Sequence, residues 1–419
     1  MFSSTKAVAA VCMAVAVDRG YCSYDDPVCK AWPEFSQEGK DWITIADVLR
    51  HDCGLQTLAV KLSMEDVENQ NDPDGVLSKA FAAQRPWQWK DAPNEGHTPR
   101  LYHAVTRGWV LSQILMRVDP RKRTVGQFLQ DEVAGPLDAD FFCGPSNDLS
   151  SANYRSKDNW TDQPTAKMIE IPASWTFGNQ TVPGIIRSTL RERFPPGENA
   201  DRMRELMAGQ PGQDPDQAGF PPAPYGSGAP REWAEDDGTV TSLARNKSPL
   251  SLNQTPRTRQ MDTPSSSGHA TARGMAKIMG MMGNLGELGG VRILSEEGVM
   301  RAVQNPVHAL PRAPPPHGED AVMMGQTHFV QGGWDSFCAE ARGPRGQAEA
   351  QKRYGSSAFG WGGLGGSAIW FNPVENIGFG YSVTGAVQGL TGDQNRTDPI
   401  LLAVMEAVRA RDGSAAAKL

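Results

Sequence analysis

The sequence FSSTKAVAAVCMAVAVDRG occupies residues 2–20 and joins a polar start to the longest apolar run of the chain. The run extends from Ala7 to Val17, and a helix built from it would be apolar on every side and therefore buried. Asp18, Arg19 and Gly20 would end that helix, with the glycine as its carboxyl-terminal stop. The alternative is a secretory signal peptide, because one lysine precedes the apolar stretch. The run is too short to span a bilayer, and the sequence leaves the two interpretations open.

Residues 3–6, SSTK, are the only Ser-x-x-Lys sequence in the chain. At the start of a helix, Ser3 and Lys6 lie one turn apart on one face, and the helix amino terminus favours a developing anion. A lysine desolvated by the apolar run behind it can be neutral and accept a proton, or can hold a nearby tyrosine as phenolate. The pattern is compatible with an activated serine nucleophile. The alternative is a serine cap followed by an exposed lysine.

Composition excludes several classes of function. The 419 residues include 41 Lys and Arg against 48 Asp and Glu, a net charge of -7 with no basic run, which argues against a nucleic-acid partner. The six cysteines form no C-x-x-C pair and no zinc-ligand spacing with the seven histidines. A G-x-G-x-x-G beginning at Gly360 precedes strand-like rather than helical sequence, which argues against a dinucleotide site. No metal and no other cofactor is predicted.

Apolar periodicity predicts the main elements. Helices are predicted over residues 41–55, 102–118, 125–133, 269–282, 295–303 and 399–410. In the first of these, Thr44 is the cap and Gly54 the stop, and His51 packs or caps near its end; His269 opens a later helix. Short apolar segments at 358–360, 367–371 and 377–383 are separated by Gly and Asn-Pro turns, which predicts neighbouring antiparallel strands.

The distribution of these elements predicts an α/β (α+β) protein with three parts. Residues 1–50 and 266–419 form an antiparallel sheet flanked by the first and last helices. Residues 51–143 form a mainly helical region. Residues 144–265 are rich in Pro, Gly, Ser, Asn and Asp, which indicates an insertion or lid.

A set of short segments follows one order along the chain. They are residues 2–8, 17–20, 26–28, 32–35, 43–51, 54–55, 102–104, 108–109, 126–129, 135–137, 267–273, 294–295 and 359–367. In this order they resemble the serine β-lactamase-related family, which includes class C β-lactamases, DD-peptidases and family VIII carboxylesterases. The likeness spans most of the chain except residues 144–262, and it implies the β-lactamase/transpeptidase-like fold.

The resemblance implies roles for three side chains. Ser3 would be the acylated nucleophile and Lys6 its activating neighbour. Tyr102 stands in the position of the family's Tyr-x-Asn motif and would be the general base. Family members have several dozen residues ahead of the nucleophile, so we expect this chain to be a member shortened at its amino end.

The resemblance also implies a strand that lines the site. Trp361, Gly362 and Gly363 stand where lactamases carry Lys-Thr-Gly, and Trp-Gly-Gly there is similar to the esterase branch. The backbone amides of Ser3 and Leu364 would form the oxyanion hole. Loss of one such donor typically costs about 3 kcal/mol of transition-state stabilisation.

Two departures from the lactamase pattern favour an ester substrate. Ala104 replaces the asparagine of Tyr-x-Asn and so removes an amide that would bind a substrate amide. Trp361 removes the cation that would pair with a β-lactam or peptide carboxylate. We therefore expect a serine hydrolase that forms an acyl-enzyme, most simply a carboxylesterase acting on a small-molecule ester or amide. The alternatives are a β-lactamase or DD-peptidase, and a non-catalytic scaffold of the same fold.

Overall fold

The computed structural model describes residues 1–56, 58, 60, 62, 64–86, 100, 102–144, 261–304, 319–320, 325–339, 343–363, 366–382 and 394–416. The helices of this part of the chain are α1 (Thr5–Asp18), α2 (Val28–Ala31), α3 (Ile45–Leu49), α4 (Met64–Glu68), α5 (Val76–Ala83), α6 (Thr106–Val118), α7 (Val125–Leu129), α8 (Ala272–Gly283), α9 (Glu296–Ala302), α10 (Gly343–Tyr354) and α11 (Gln394–Ala416). Its strands are β1 (Phe141–Cys143), β2 (Gly268–Ala270), β3 (Glu287–Leu288), β4 (Val291–Arg292), β5 (Glu319–Asp320), β6 (Gly325–Gln326), β7 (Asp335–Ser336), β8 (Phe359–Gly362), β9 (Ala368–Asn372) and β10 (Ile377–Tyr381). Short 3₁₀ segments cover Phe2–Ser4 and Pro33–Gly39, and a π-helical turn follows α7 over Gln130–Ala134.

Helix α1 is the centre of the core. Every residue from Thr5 to Val17 is buried, which agrees with the buried-helix interpretation of the apolar run. The helix ends where the sequence predicts: the amide of Gly20 donates to Val17 O and that of Tyr21 to Ala16 O, both at 2.9 Å. This pair of bonds is the Schellman arrangement that closes many helices. The core therefore surrounds α1, and the polar SSTK residues lie at its amino-terminal end.

The predicted antiparallel strands form one sheet. Its order is β10-β9-β8-β7, and each neighbouring pair is antiparallel. In β9, Ile369 and Phe371 belong to the main core around α1, whereas Trp370 belongs to a second apolar cluster with Leu401 and Met405 of α11. Side chains alternate between the faces of a strand, so the sheet is covered on both sides. Helix α8 packs along β9 and β10, and α11 covers the opposite face.

Several predicted helix boundaries are wrong. Helix α6 begins at Thr106 rather than at Tyr102, and α11 covers Gln394–Ala416 rather than 399–410. Helix α3 begins as expected after Thr44, whose side chain forms a capping box with Asp47, but it ends at Leu49 rather than at Gly54. His51 interrupts it, because its φ of 64° is left-handed. His269 does not open a helix: it lies in β2 opposite Phe142. Pairing with β1 holds it extended, and α8 starts only after the Thr271 cap.

The predicted insertion, residues 144–265, is flanked by the paired strands β1 and β2. Cys143 of β1 pairs with Gly268 of β2, so the chain on either side of residues 144–265 is joined by a two-stranded ladder. Residues 145–260 lie outside the described residues, and the division of the chain into three parts stays a prediction. Within the described ranges, no helix combines the length and the apolar character needed to cross a membrane.

Candidate active site

The structure brings Ser3, Lys6 and Tyr102 together. Ser3 lies in the 3₁₀ turn that leads into α1, Lys6 lies in the first turn of α1, and Tyr102 lies in the loop before α6. The Tyr102 hydroxyl donates to Ser3 Oγ at 2.5 Å, and Lys6 Nζ lies 3.4 Å from the same oxygen. Lys6 Nζ also lies 4.8 Å from the centre of the Tyr102 ring. Ser3 is only half-buried, so part of the residue is exposed to solvent.

Lys6 is held by backbone carbonyls. Its side chain is fully buried, and Nζ donates to Ala104 O at 2.6 Å and to Ser265 O at 2.9 Å. Burial, followed by the positive charge of Arg107, lowers the pKa of Lys6 well below its usual range. Charged groups are costly to bury without an opposite charge, so a neutral amine is favoured here. A neutral amine has two N–H donors and one lone pair, which matches two carbonyls and one hydroxyl.

Two histidines fix the loop that carries Tyr102. His51 Nδ1 accepts a 2.8 Å hydrogen bond from the backbone amide of His103, and His103 Nε2 accepts one of 2.9 Å from the amide of Leu55. The His51 ring also packs against Tyr102, with 4.9 Å between ring centres. Burial lowers the pKa of His51 well below its usual range, so the ring is neutral and its Nδ1 stays an acceptor. His51 therefore packs at its helix end, as expected, and does so directly behind the site.

Trp361 forms the wall of the site next to Tyr102. The indole is buried, stacks on Phe329 at 5.0 Å and lies 5.8 Å from the Tyr102 ring. Its Nε1 donates to Gly333 O at 3.1 Å. The side chain that replaces a lysine in the family pattern is thus fixed on three sides by aromatic and backbone contacts, and it carries no cation.

The end of β8 packs against the turn that carries Ser3. Gly362 is the last residue of β8, paired with Ala368. A Cβ added at Gly363 would lie 2.2 Å from Ser367 Oγ and 3.0 Å from Ser4 Oγ, so only glycine permits this approach. Ser4 and Ser367 are themselves hydrogen-bonded at 2.9 Å. Leu364, the second predicted oxyanion donor, lies outside the described residues.

Sequence reasoning missed three contributors to the site. The carbonyls of Ala104 and Ser265 bind Lys6, but a backbone acceptor leaves no mark in a side-chain pattern. Arg107 is fully buried on α6, five residues after Tyr102. A charged residue beside the apolar positions Val105, Trp109 and Val110 is a signal that could have identified it. The described residues contain no group of three or more His, Cys, Asp or Glu that could hold a metal ion.

Comparison with known proteins gives the same family as the sequence segments. The Beta-lactamase family model matches residues 1–401. The chain is similar to the esterase/beta-lactamase LipL of Mycobacterium tuberculosis, with 26% identity over 311 residues, which are 74% of this chain and 56% of LipL. The chain thus spans just over half the length of that relative.

Solved structures share the fold at low identity. The crystal structure of a family VIII carboxylesterase matches with a TM-score of 0.61 and 22% identity, covering 97% of this chain and 82% of that one. A penicillin-binding protein homolog from Caulobacter crescentus matches with a TM-score of 0.60 and 24% identity over the same shares of the two chains. The fold is therefore β-lactamase/transpeptidase-like, as predicted, and the chain belongs to the Beta-lactamase family.

Proposed function

We propose that this protein is a serine hydrolase that forms an acyl-enzyme on Ser3 and acts as a carboxylesterase on small esters. The observation that carries the proposal is the 2.5 Å hydrogen bond between Tyr102 and Ser3, with Lys6 Nζ 3.4 Å from the same oxygen. A nucleophile within hydrogen-bond reach of a base, with the base positioned by further groups, is the general requirement for covalent catalysis.

The proton can follow a closed path within this trio. Ser3 Oγ attacks the ester carbonyl carbon while its proton passes to the pair formed by Tyr102 and Lys6. The tetrahedral intermediate collapses, the C–O bond of the ester breaks, and the leaving alcohol takes the proton from the pair. Water then attacks the acyl-enzyme and gives one proton to the pair, which returns it to Ser3 as the carboxylic acid leaves.

The oxyanion would be held by backbone amides. The amides of Ser3 and Leu364 are the donors that the family resemblance implies, and Leu364 keeps that role here as a prediction. Gly363, its neighbour, lies against the turn that carries Ser3, which supports a donor at this end of β8. Two such donors would stabilise the charge that develops on the carbonyl oxygen.

The walls of the site favour an ester over a β-lactam or a peptide. Ala104 contributes a methyl group and a carbonyl already bound to Lys6, so it offers no amide to a substrate. Trp361 is buried and apolar where a cation would bind a carboxylate. The guanidinium of Arg107 lies behind Trp361 and donates to backbone carbonyls instead. The name of LipL includes both esterase and beta-lactamase, so both activities are tested.

Labelling with a fluorophosphonate tests the nucleophile. We expect the probe to modify Ser3, as located by peptide mass spectrometry, and Ser3→Ala to abolish the adduct. Ser4→Ala is the matched control, because Ser4 is adjacent but buried and bonded to Ser367. Equal labelling of wild type and Ser3→Ala would reject Ser3 as the nucleophile. No adduct in a folded protein would favour the non-catalytic scaffold.

Turnover of two chromogenic substrates tests the substrate class. We expect hydrolysis of p-nitrophenyl acetate that depends on Ser3 and little hydrolysis of a chromogenic cephalosporin. Faster turnover of the cephalosporin would instead assign the protein to the β-lactamase or DD-peptidase branch.

A further inference from the structure

Arg107 is a buried cation that is held by backbone carbonyls. Its side chain is fully buried, and its guanidinium donates to three backbone carbonyls: Leu49 O at 3.0 Å, Lys6 O at 3.2 Å and Gly333 O at 3.4 Å. Within the described part of the chain, no carboxylate lies within ion-pair distance of it. Burying a charge is costly unless the charge is paired. A cation kept in such a place therefore requires an explanation.

Nearby carboxylates are already used by other arginines. Asp47 binds Arg50 at 2.7 Å, and Asp52 binds both Arg50 and Arg100 at 2.9–3.0 Å. These two acids and two arginines balance each other's charge. The positive charge of Arg107 is consequently not cancelled by this network.

The contacts of Arg107 connect the parts of the candidate site. It binds the backbone of Lys6 on α1, and it shares the Gly333 carbonyl with the indole of Trp361. Its guanidinium lies 5.6 Å from the centre of the Trp361 ring. A Cβ at Gly333 would lie 2.6 Å from Arg107 Nη2, so the glycine leaves room for the guanidinium. One side chain thus touches the nucleophile helix and the wall of the site together.

We propose that Arg107 is a positioning residue of this site, whose fixed positive charge favours loss of the proton held by Tyr102 and Lys6. The inference rests on the proposed function. A proton leaves a site more readily when a cation is close, because the state with one positive charge fewer is favoured. The pair of Tyr102 and Lys6 can then accept the Ser3 proton at a lower pH than it could without Arg107. Arg107 itself touches no reacting atom.

Among the described residues, the other groups around the pair do not supply this charge. On α1, the pKa of Lys6 is lowered by burial and then by Arg107. After α3 and before α6, His51 and His103 each accept a backbone N–H and are neutral acceptors. Arg100 faces the same region but is bound to Asp52, and β8 contributes only Trp361.

The charge state of Arg107 is consistent with this role. Burial lowers the pKa of Arg107 to about 9, and the neighbouring Tyr102 opposes that change. The guanidinium is therefore protonated at neutral pH. Because Tyr102 raises the pKa of Arg107, the charged guanidinium is attracted to the Tyr102 oxygen when the phenol has lost its proton.

The pH dependence of Ser3 labelling tests the proposal. The rate at which the fluorophosphonate labels Ser3 should fall at low pH, where the pair is protonated; this fall is the acid limb. We expect Arg107→Met to shift the acid limb to higher pH by about one unit. On that limb, labelling at a fixed pH slows about tenfold. Arg107→Lys keeps the charge and should shift the limb less. Arg117→Met is the matched control: it lies about 15 Å further along α6 and should leave the limb in place.

The outcomes decide between a charge and a packing role. An unshifted limb in folded Arg107→Met overturns the proposal, and so does an equal shift in Arg107→Lys. Should Arg107→Met fail to fold by circular dichroism, Arg107→Gln replaces it, because glutamine removes the charge but keeps an N–H for the carbonyls.

A titration without turnover separates this inference from the proposed function. The ultraviolet absorbance of the Ser3→Ala protein is recorded at several pH values, and that of the Ser3→Ala/Tyr102→Phe protein is subtracted. The difference is the absorbance of the Tyr102 phenolate. We expect the phenolate to form at higher pH when Arg107→Met is added, and formation at the same pH would overturn the inference. Absence of Ser3 labelling in wild type would reject the hydrolase while leaving this titration valid.

Discussion

Replacing Tyr102 by phenylalanine should separate the chemistry of the site from its stability. The substitution removes one oxygen and keeps a ring that packs 4.9 Å from His51 and 5.8 Å from Trp361. The lost group is the donor of the 2.5 Å hydrogen bond to Ser3, which is half-buried and can bind water instead. We therefore expect the free energy of unfolding to fall by only about 1 kcal/mol.

The effect on acyl transfer should be much larger. Removal of a general base typically slows a reaction by about 100- to 10,000-fold, which corresponds to about 3 to 5 kcal/mol of activation free energy. The measurement is the burst of p-nitrophenol released on acetylation of Ser3, beside urea unfolding of the same protein. Tyr24→Phe is the control, because the buried hydroxyl of Tyr24 has no hydrogen-bond partner in the described part of the chain. A burst rate within about threefold of wild type, against the range expected for a base, would refute the role of Tyr102.

Two further predictions concern stability. Burial holds the pKa of His51 low in the folded state, so below about pH 6.5 only the unfolded chain takes up a proton at His51. The free energy of unfolding should therefore keep its whole His51 contribution above about pH 6.5 and fall below that pH by up to about 1.4 kcal/mol per pH unit. His51→Asn, which tolerates the left-handed backbone, should remove this part of the slope in urea unfolding at several pH values, and an unchanged slope would contradict the assignment. Gly280→Ala should stabilise α8 by about 0.5–1 kcal/mol, because its Cβ meets only Leu288 methyl groups at 3.6 and 3.9 Å. Gly283→Ala should destabilise the protein, because its Cβ would lie 2.3 Å from Ile377 O; equal melting temperatures for the two variants would disprove this packing argument.

Local patterns predicted the long helices α1, α6, α8 and α11 and three strands of the four-stranded sheet, but not α10 or most of the short elements. The apolar run from Ala7 to Val17 lies within α1, and the stop at Gly20 is where the helix ends. The strands near residues 359–362, 368–372 and 377–381 pair as neighbours, as expected from the turns between them. Such features depend on residues close in sequence, through caps, turns and the period of the apolar positions. The ends of helices were less accurate where tertiary contacts competed, as at His51 and in β2.

The site itself was predicted by residue type and order rather than by geometry. The resemblance selected Ser3, Lys6 and Tyr102, but no local pattern states that residues 99 positions apart share a hydrogen bond. That contact requires α1, the loop before α6 and the segment before β2 to pack together. Lys6 receives its carbonyl partners from Ala104 and Ser265, which lie 98 and 259 positions away.

The sequence alone determined which chemical groups are available: a serine and a lysine one helical turn apart, a distant tyrosine, and a tryptophan at the position where the family resemblance implies a cation. Tertiary structure decided how those groups behave. Burial from every side makes a neutral lysine favourable, and packing places Arg107 behind Trp361 as a cation with no acidic partner among the residues that the structure describes. These properties arise from desolvation and from charges brought close in space, and neither quantity is encoded in the spacing of residues along the chain.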